Sequence, residues 1–391
     1  MKRNARLAAA AVVLSVAGLL LWKSKAAPGR PDDAGQTAFA LTSPLLAASP
    51  SNGERPKVDI VFALDTTGSM GGLIEGAKAK IWEIARRAQE GKPAPELRIG
   101  LVAYRDRGDD YLTQVVPLTS DLDAVYAKLS AFTAGGGGDG PEHVLRGLDD
   151  ALASQWSTDP RAVKLVYLVG DAPPHFDYDD GLTLESVLAK AQRAGVRVSA
   201  IRCGGDAATL TAWTDIARRT DGEVASIEQQ GGVVAVSTPF DEELARLNAQ
   251  LARTEIHYGS EEEQREAKSV VAKNVAAPAA AQADRAGFYA TRAAATAAVP
   301  TKKDLTAGGK RVEDLDQAEL PPEMKSMSPE ERSSLIEGKK KEREAILAKI
   351  SGLSAKRSAH LKAAPAAGEA GFDGTVFDSL KKAGARSGIT Y

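Results

Sequence analysis

Cysteine is almost missing: Cys203 stands alone in 391 residues, so no disulfide can close within the chain. It lies in the apolar run Val196–Cys203 and reads as a small buried apolar residue. Aromatic residues are only 5%, and alanine is dense near both ends. That suits one core with thinly packed flanks. No charge dominates, since 50 Lys and Arg face 52 Asp and Glu. With no basic stripe interleaved with aromatics, a nucleic-acid footprint is excluded. Histidines number four and form no H-E-x-x-H. There is no G-x-x-x-x-G-K-[ST], so a phosphate-cradling loop is unsupported. Gly68-Ser69-Met70-Gly71 is not the G-x-S-x-G of a nucleophile elbow, and Thr67 interrupts the Asp-Thr-Gly an aspartic protease needs.

The chain starts MKRNAR, followed by the apolar run Leu7–Trp22 and then Lys23-Ser24-Lys25-Ala26. A basic start with an apolar middle predicts an export signal over 1–26, either cleaved or kept as a membrane anchor. Residues 27–56 hold Pro, Gly, Ala, Ser and Asp without period and read as a linker.

Residues 57–260 alternate near-continuous apolar strands with helices. This predicts an α/β fold, a doubly wound and mostly parallel sheet flanked by helices. Expected strands include Val58–Leu64, Leu97–Tyr104, Tyr111–Leu118, Val163–Gly170 and Val196–Cys203, the third hairpin-paired to the second. Residues 261–320 turn Ala-rich and then polar and read as a linker. Residues 321–391 read as a largely helical or irregular tail. Its Leu335, Ile346, Ile350 and Leu353 lie near one stripe, which wants a partner surface on the main domain or on a second protein.

The strongest local signal is Val58–Gly72, VDIVFALDTTGSMGG. A strand ends on Asp65, and Thr67 and Ser69 follow at i+2 and i+4. Open α/β sheets bind ligands at the carboxyl ends of their strands. Three oxygens aimed one way suit a hard divalent cation. Two more loops carry carboxylates. Thr133–Pro141 is a glycine loop from which Asp139 projects, and Asp171 closes the strand Val163–Gly170. Glu142 reads as an acid opening the next helix, with metal ligation the alternative, and His143 and His175 as loop residues.

This pattern resembles the von Willebrand factor type A domain at its metal-ion-dependent adhesion site, whose signature is D-x-[ST]-x-S. The resemblance covers roughly residues 57–240. It implies metal ligation by Asp65, Thr67 and Ser69, with Asp171 acting directly or through water. The family's glycine loop offers a Thr; here Gly138 or Asp139 falls at that place, so Asp139 is either a direct or water-bridged ligand or only a turn residue. The implied cofactor is Mg²⁺, or Mn²⁺ or Ca²⁺. The implied partner is a protein that completes the metal with an acidic side chain. On this reading the chain is an exported, non-enzymatic binding module. Two alternatives stay open. Asp65-Thr66-Thr67-Gly68 also resembles the nucleophile turn of haloacid-dehalogenase-like phosphatases, although Thr67 stands where those enzymes need an acid/base Asp. The departure at Gly138/Asp139 also suits a scaffold protein with a degenerate metal site.

Overall fold

The computed structural model describes residues 55–138, 140–229, 237–295, 303–363 and 371–391. The expected leader, nearly all of the linker after it, and Asp139 lie outside these residues. Strands β1 (Lys57–Asp65), β2 (Glu96–Tyr104) and β3 (Thr113–Thr119) are joined by helix α1 (Gly71–Gln89) and a short turn. Then come α2 (Leu122–Leu129), α3 (Val144–Leu152), β4 (Val163–Gly170), α4 (Leu184–Ala194), β5 (Arg197–Cys203), α5 (Ala207–Arg219) and β6 (Val224–Ile227).

Among the described residues the strands form one sheet in the order β3-β2-β1-β4-β5-β6. All neighbours are parallel except β2 and β3. The fold is therefore the doubly wound α/β sheet expected from the sequence. β1 sits at the centre, buried on both faces. Its even-numbered side chains, Ile60, Phe62 and Leu64, join one core, and Val61 and Ala63 join the other. That split follows from the two-residue period of a strand. Helices α3, α4 and α5 cover the Val61 face. The chain order reverses between β1 and β4, which opens a crevice at the carboxyl ends of these strands.

The Phe62 face is covered differently. After α6 (Asp241–Ala252) come α7 (Glu261–Val275), α8 (Ala279–Ala295), α9 (Pro329–Ala363) and α10 (Phe372–Arg386). The charged stretch expected to extend α6 over Glu261–Lys273 is a separate helix capped by Ser260, and the Ala-rich stretch read as linker forms α8. The prediction missed α8 because its buried surface is largely alanine, Ala281, Ala283, Ala286 and Ala290, beside the large Arg285, Phe288 and Tyr289. Small side chains let helices approach closely, and α8 packs on α1, bringing Phe288 to 5.5 Å from Trp82 between ring centres; Arg285 is the third large side chain that α8 buries.

Helix α9 lies against α6 and α8, burying Ile346 and Ile350, so its stripe finds its partner within the same chain. Helix α10 reaches the sheet itself. Phe372 meets Phe62 at 6.0 Å, the Tyr167 hydroxyl donates to the Val376 carbonyl at 2.8 Å, and the Ser199 and Ser379 hydroxyls pair at 2.9 Å. Among the described residues no helix is long and apolar enough to cross a membrane.

Candidate metal centre

Asp65 ends β1 at the mouth of the crevice and is fully buried. The chain turns there because Thr66 uses both its amide and its hydroxyl on the Tyr104 carbonyl, each at 3.0 Å. Thr67 then folds back, donating its amide (2.8 Å) and its hydroxyl (2.6 Å) to Asp65 Oδ1. A single 3₁₀ turn, Gly68–Met70, follows; it leaves Ser69 exposed and anchors the buried Met70. Asp65 Oδ2 is buried with no hydrogen-bond partner. Burial pushes the Asp65 carboxyl up to about 7, against the pull of the Thr67 hydrogen bonds and with a further push from Asp171.

The glycine loop lies flat on this turn. The Gly135 amide donates to the Thr66 carbonyl (3.1 Å), and the Gly68 amide to the Gly136 carbonyl (3.2 Å). Gly137 has a positive φ of 74°, and a Cβ there would stand 3.1 Å from Glu142 Oε1 and 3.2 Å from Thr67 Cβ. Only glycine meets both demands easily. Its amide is held by the Asp109 carboxylate at 3.0 and 3.1 Å.

Glu142 corrects the sequence reading. It does not act as a first-turn acid of α3, which starts at Val144 with His143 at the cap position. Its side chain is buried beside Thr67, and Oε2 has no partner. Its backbone is pinned to the loop after β4: its amide donates to the Pro173 carbonyl (2.9 Å), and its carbonyl accepts from the His175 amide (3.0 Å). Burial, then the charges of Asp65, Asp106 and Asp109, push this carboxyl up to about 9. Sequence reasoning favoured the helix start over a ligand, because a Glu before a helix fits either. Its adjacency to the glycine loop was the available signal.

Asp171 follows β4 and is half-buried. Its carbonyl accepts from the Thr209 hydroxyl at 3.0 Å, and its Oδ2 from the Gln229 amide. The structure therefore brings Asp65, Thr67, Glu142 and Asp171 to one crevice, with Ser69 on its rim. The two histidines belong to a neighbouring cluster. His143 Nε2 pairs with Asp180 at 2.8 Å, and His175 stacks on Tyr178 at 4.1 Å, whose hydroxyl donates to Asp106.

Among the described residues no three His, Cys, Asp or Glu side chains converge as metal ligands. The donor set here mixes carboxylates with hydroxyls, the oxygen chemistry that Mg²⁺ accepts alongside waters. Two buried, unpartnered carboxylate oxygens, held by neighbours that raise both acids, are what a cation would neutralise. The residues present fit such an ion.

Residues 59–228 match the family model described as von Willebrand factor A domain. The rat (Rattus norvegicus) von Willebrand factor A domain-containing protein 7 is 40% identical over 97 residues, covering 25% of this chain and 10% of its own length. The Dictyostelium discoideum alpha-protein kinase vwkA is 30% identical over 120 residues, covering 30% and 19% respectively. The chain thus spans less than a fifth of either relative. Among solved structures, the SpRpn10 VWA domain is 18% identical with a TM-score of 0.33, covering 45% of this chain and 89% of that one.

Proposed function

We propose that the von Willebrand factor A domain this chain carries in residues 59–228 binds a protein partner through a divalent cation held in the crevice. Asp65, Thr67, Ser69 and Asp171 would hold the ion, with Asp139 as a further candidate. The observation that carries this reading is the pair of buried, unpartnered oxygens, Asp65 Oδ2 and Glu142 Oε2, in the crevice. The ion would supply positive charge to a site whose own side chains are acidic, and so make it attractive to a carboxylate on the partner. Thr67 fixes Asp65 Oδ1 and leaves Oδ2 to the ion. Gly137, lying on Thr67, keeps bulk away from that face. The basic start and the run Leu7–Trp22 support export, with the folded unit outside the cytoplasmic membrane.

The test is thermal unfolding of the whole chain in EDTA, in Mg²⁺, and in Mg²⁺ with beryllium fluoride. Mg²⁺ at 100 times its dissociation constant adds about 2.7 kcal/mol, a rise of roughly 5 °C. The rise should vanish in Asp65→Ala. A further rise that needs the fluoride would replace this reading with phosphoryl chemistry on Asp65. No rise with millimolar metal would favour a scaffold protein.

A further inference from the structure

The glycine loop lacks the hydroxyl expected of it, and the crevice contains a carboxylate that the proposed ligand set does not use. We infer that Glu142 is itself a direct ligand of the cation, a fourth side chain beside Asp65, Thr67 and Ser69; the inference rests on the metal-dependent reading above.

Three observations meet on Glu142. It is 3% exposed, and its Oε2 is buried without a partner. An uncompensated buried carboxylate is costly and persists where something else neutralises it. Its Oε1 and Thr67 Cβ lie 3.1 and 3.2 Å from where a Cβ on Gly137 would stand, so Glu142 sits beside the residue whose hydroxyl already holds Asp65. Its position is also prearranged. Its amide and carbonyl are tied to Pro173 and His175 of the loop after β4, and Gly137 leaves room for Oε1 where any side chain would collide with it. A residue placed only for packing would not need its charged end inside an acidic crevice.

The assignment changes what the site is. With both Asp65 and Glu142 on the ion, the site carries enough negative charge to hold its cation before any partner arrives. Glu142 then stands in for the loop hydroxyl, and the ion is bound more tightly and is less positive toward an incoming carboxylate. Hard, oxygen-seeking cations with tolerant geometry should be favoured, Mn²⁺ and Ca²⁺ as well as Mg²⁺.

The experiment measures Mg²⁺ and Mn²⁺ affinity of the whole chain by calorimetric titration, with melting curves in EDTA, for wild type, Glu142→Gln, Glu142→Asp and Asp65→Ala. A ligand role predicts two opposite effects in Glu142→Gln. Metal affinity falls by about tenfold or more, yet the metal-free protein melts higher, because the cost of burying an ionisable acid is gone. A structural role predicts a lower metal-free melting temperature and unchanged affinity. Glu142→Asp keeps the charge but withdraws it by one methylene, and it should also lose affinity; it serves if the Gln variant fails to fold. Wild-type affinity in both variants overturns the assignment while leaving the metal-dependent reading intact. A wild-type chain that binds neither metal overturns both.

Discussion

At Asp65 one carboxylate oxygen is bound twice by Thr67, and the other is enclosed without a donor. The folded protein therefore prefers this acid protonated, with its titration raised to about 7, and Glu142 prefers the same, raised to about 9. Both folded values lie above ordinary carboxylate values. Their contribution to stability is thus fully present at about pH 4 and is lost as pH rises through 7 and then 9. In EDTA the melting temperature should fall between pH 5 and 9 more steeply for wild type than for Asp65→Asn. Mg²⁺ should flatten the wild-type curve, since the ion takes the deprotonated acids and binds better at higher pH. Calorimetry across that range checks it, and parallel curves for wild type and Asp65→Asn would refute it. Asp65, Thr67 and Asp171 were readable as candidates because strand ends and turn residues leave a sequence pattern. Burial leaves none at a single residue, so at Glu142 the sequence favoured a helix-opening acid over a ligand.

Among the elements, α8 carries the strongest buried charge. Arg285, 1% exposed, donates two hydrogen bonds to Asp123 of α2, at 2.6 and 2.8 Å, and one to Asn248 of α6 at 2.6 Å. Glu255 stands 3.5 Å away. These partners hold the guanidinium protonated despite its burial. One side chain thus ties three helices together. Arg285→Met should cost about 3–5 kcal/mol, because it strands a buried carboxylate rather than merely deleting a contact. Urea unfolding measures it, and a loss under 1 kcal/mol would show that the network is not structural. None of this was visible in an Ala-rich stretch that read as linker. Strands β1, β2, β4 and β5 were visible because each is a run of apolar residues largely buried on both sides. Helix α8 hides its role in small residues and one arginine, whose partners lie far away in sequence.

For the molecule as a whole, the sheet's two faces are finished by different parts of the chain. Helices α3, α4 and α5, local in sequence, cover the Val61 face. The Phe62 face also needs α8, α9 and α10, and α10 sits directly over β4. A chain stopped after residue 260 should leave Phe62, Tyr167 and Trp82 short of cover. It should aggregate or bind a hydrophobic dye, with no cooperative melt. A fragment of residues 55–260 that melts within a few degrees of the whole chain would refute this. The sequence showed the α/β sheet because its period is local. It showed the tail only as helices, since which surface a stripe covers is not written in the stripe.

That division of labour also sets a timetable. A ribosome adds about 5–20 residues per second. The last strand is therefore complete on the order of ten seconds before α10 emerges to close the Phe62 face. Until then the emerging polypeptide keeps an apolar surface open, and its most stable state does not yet exist. Native structure comes late in synthesis, and any cellular machinery that must handle this protein unfolded has that interval in which to act.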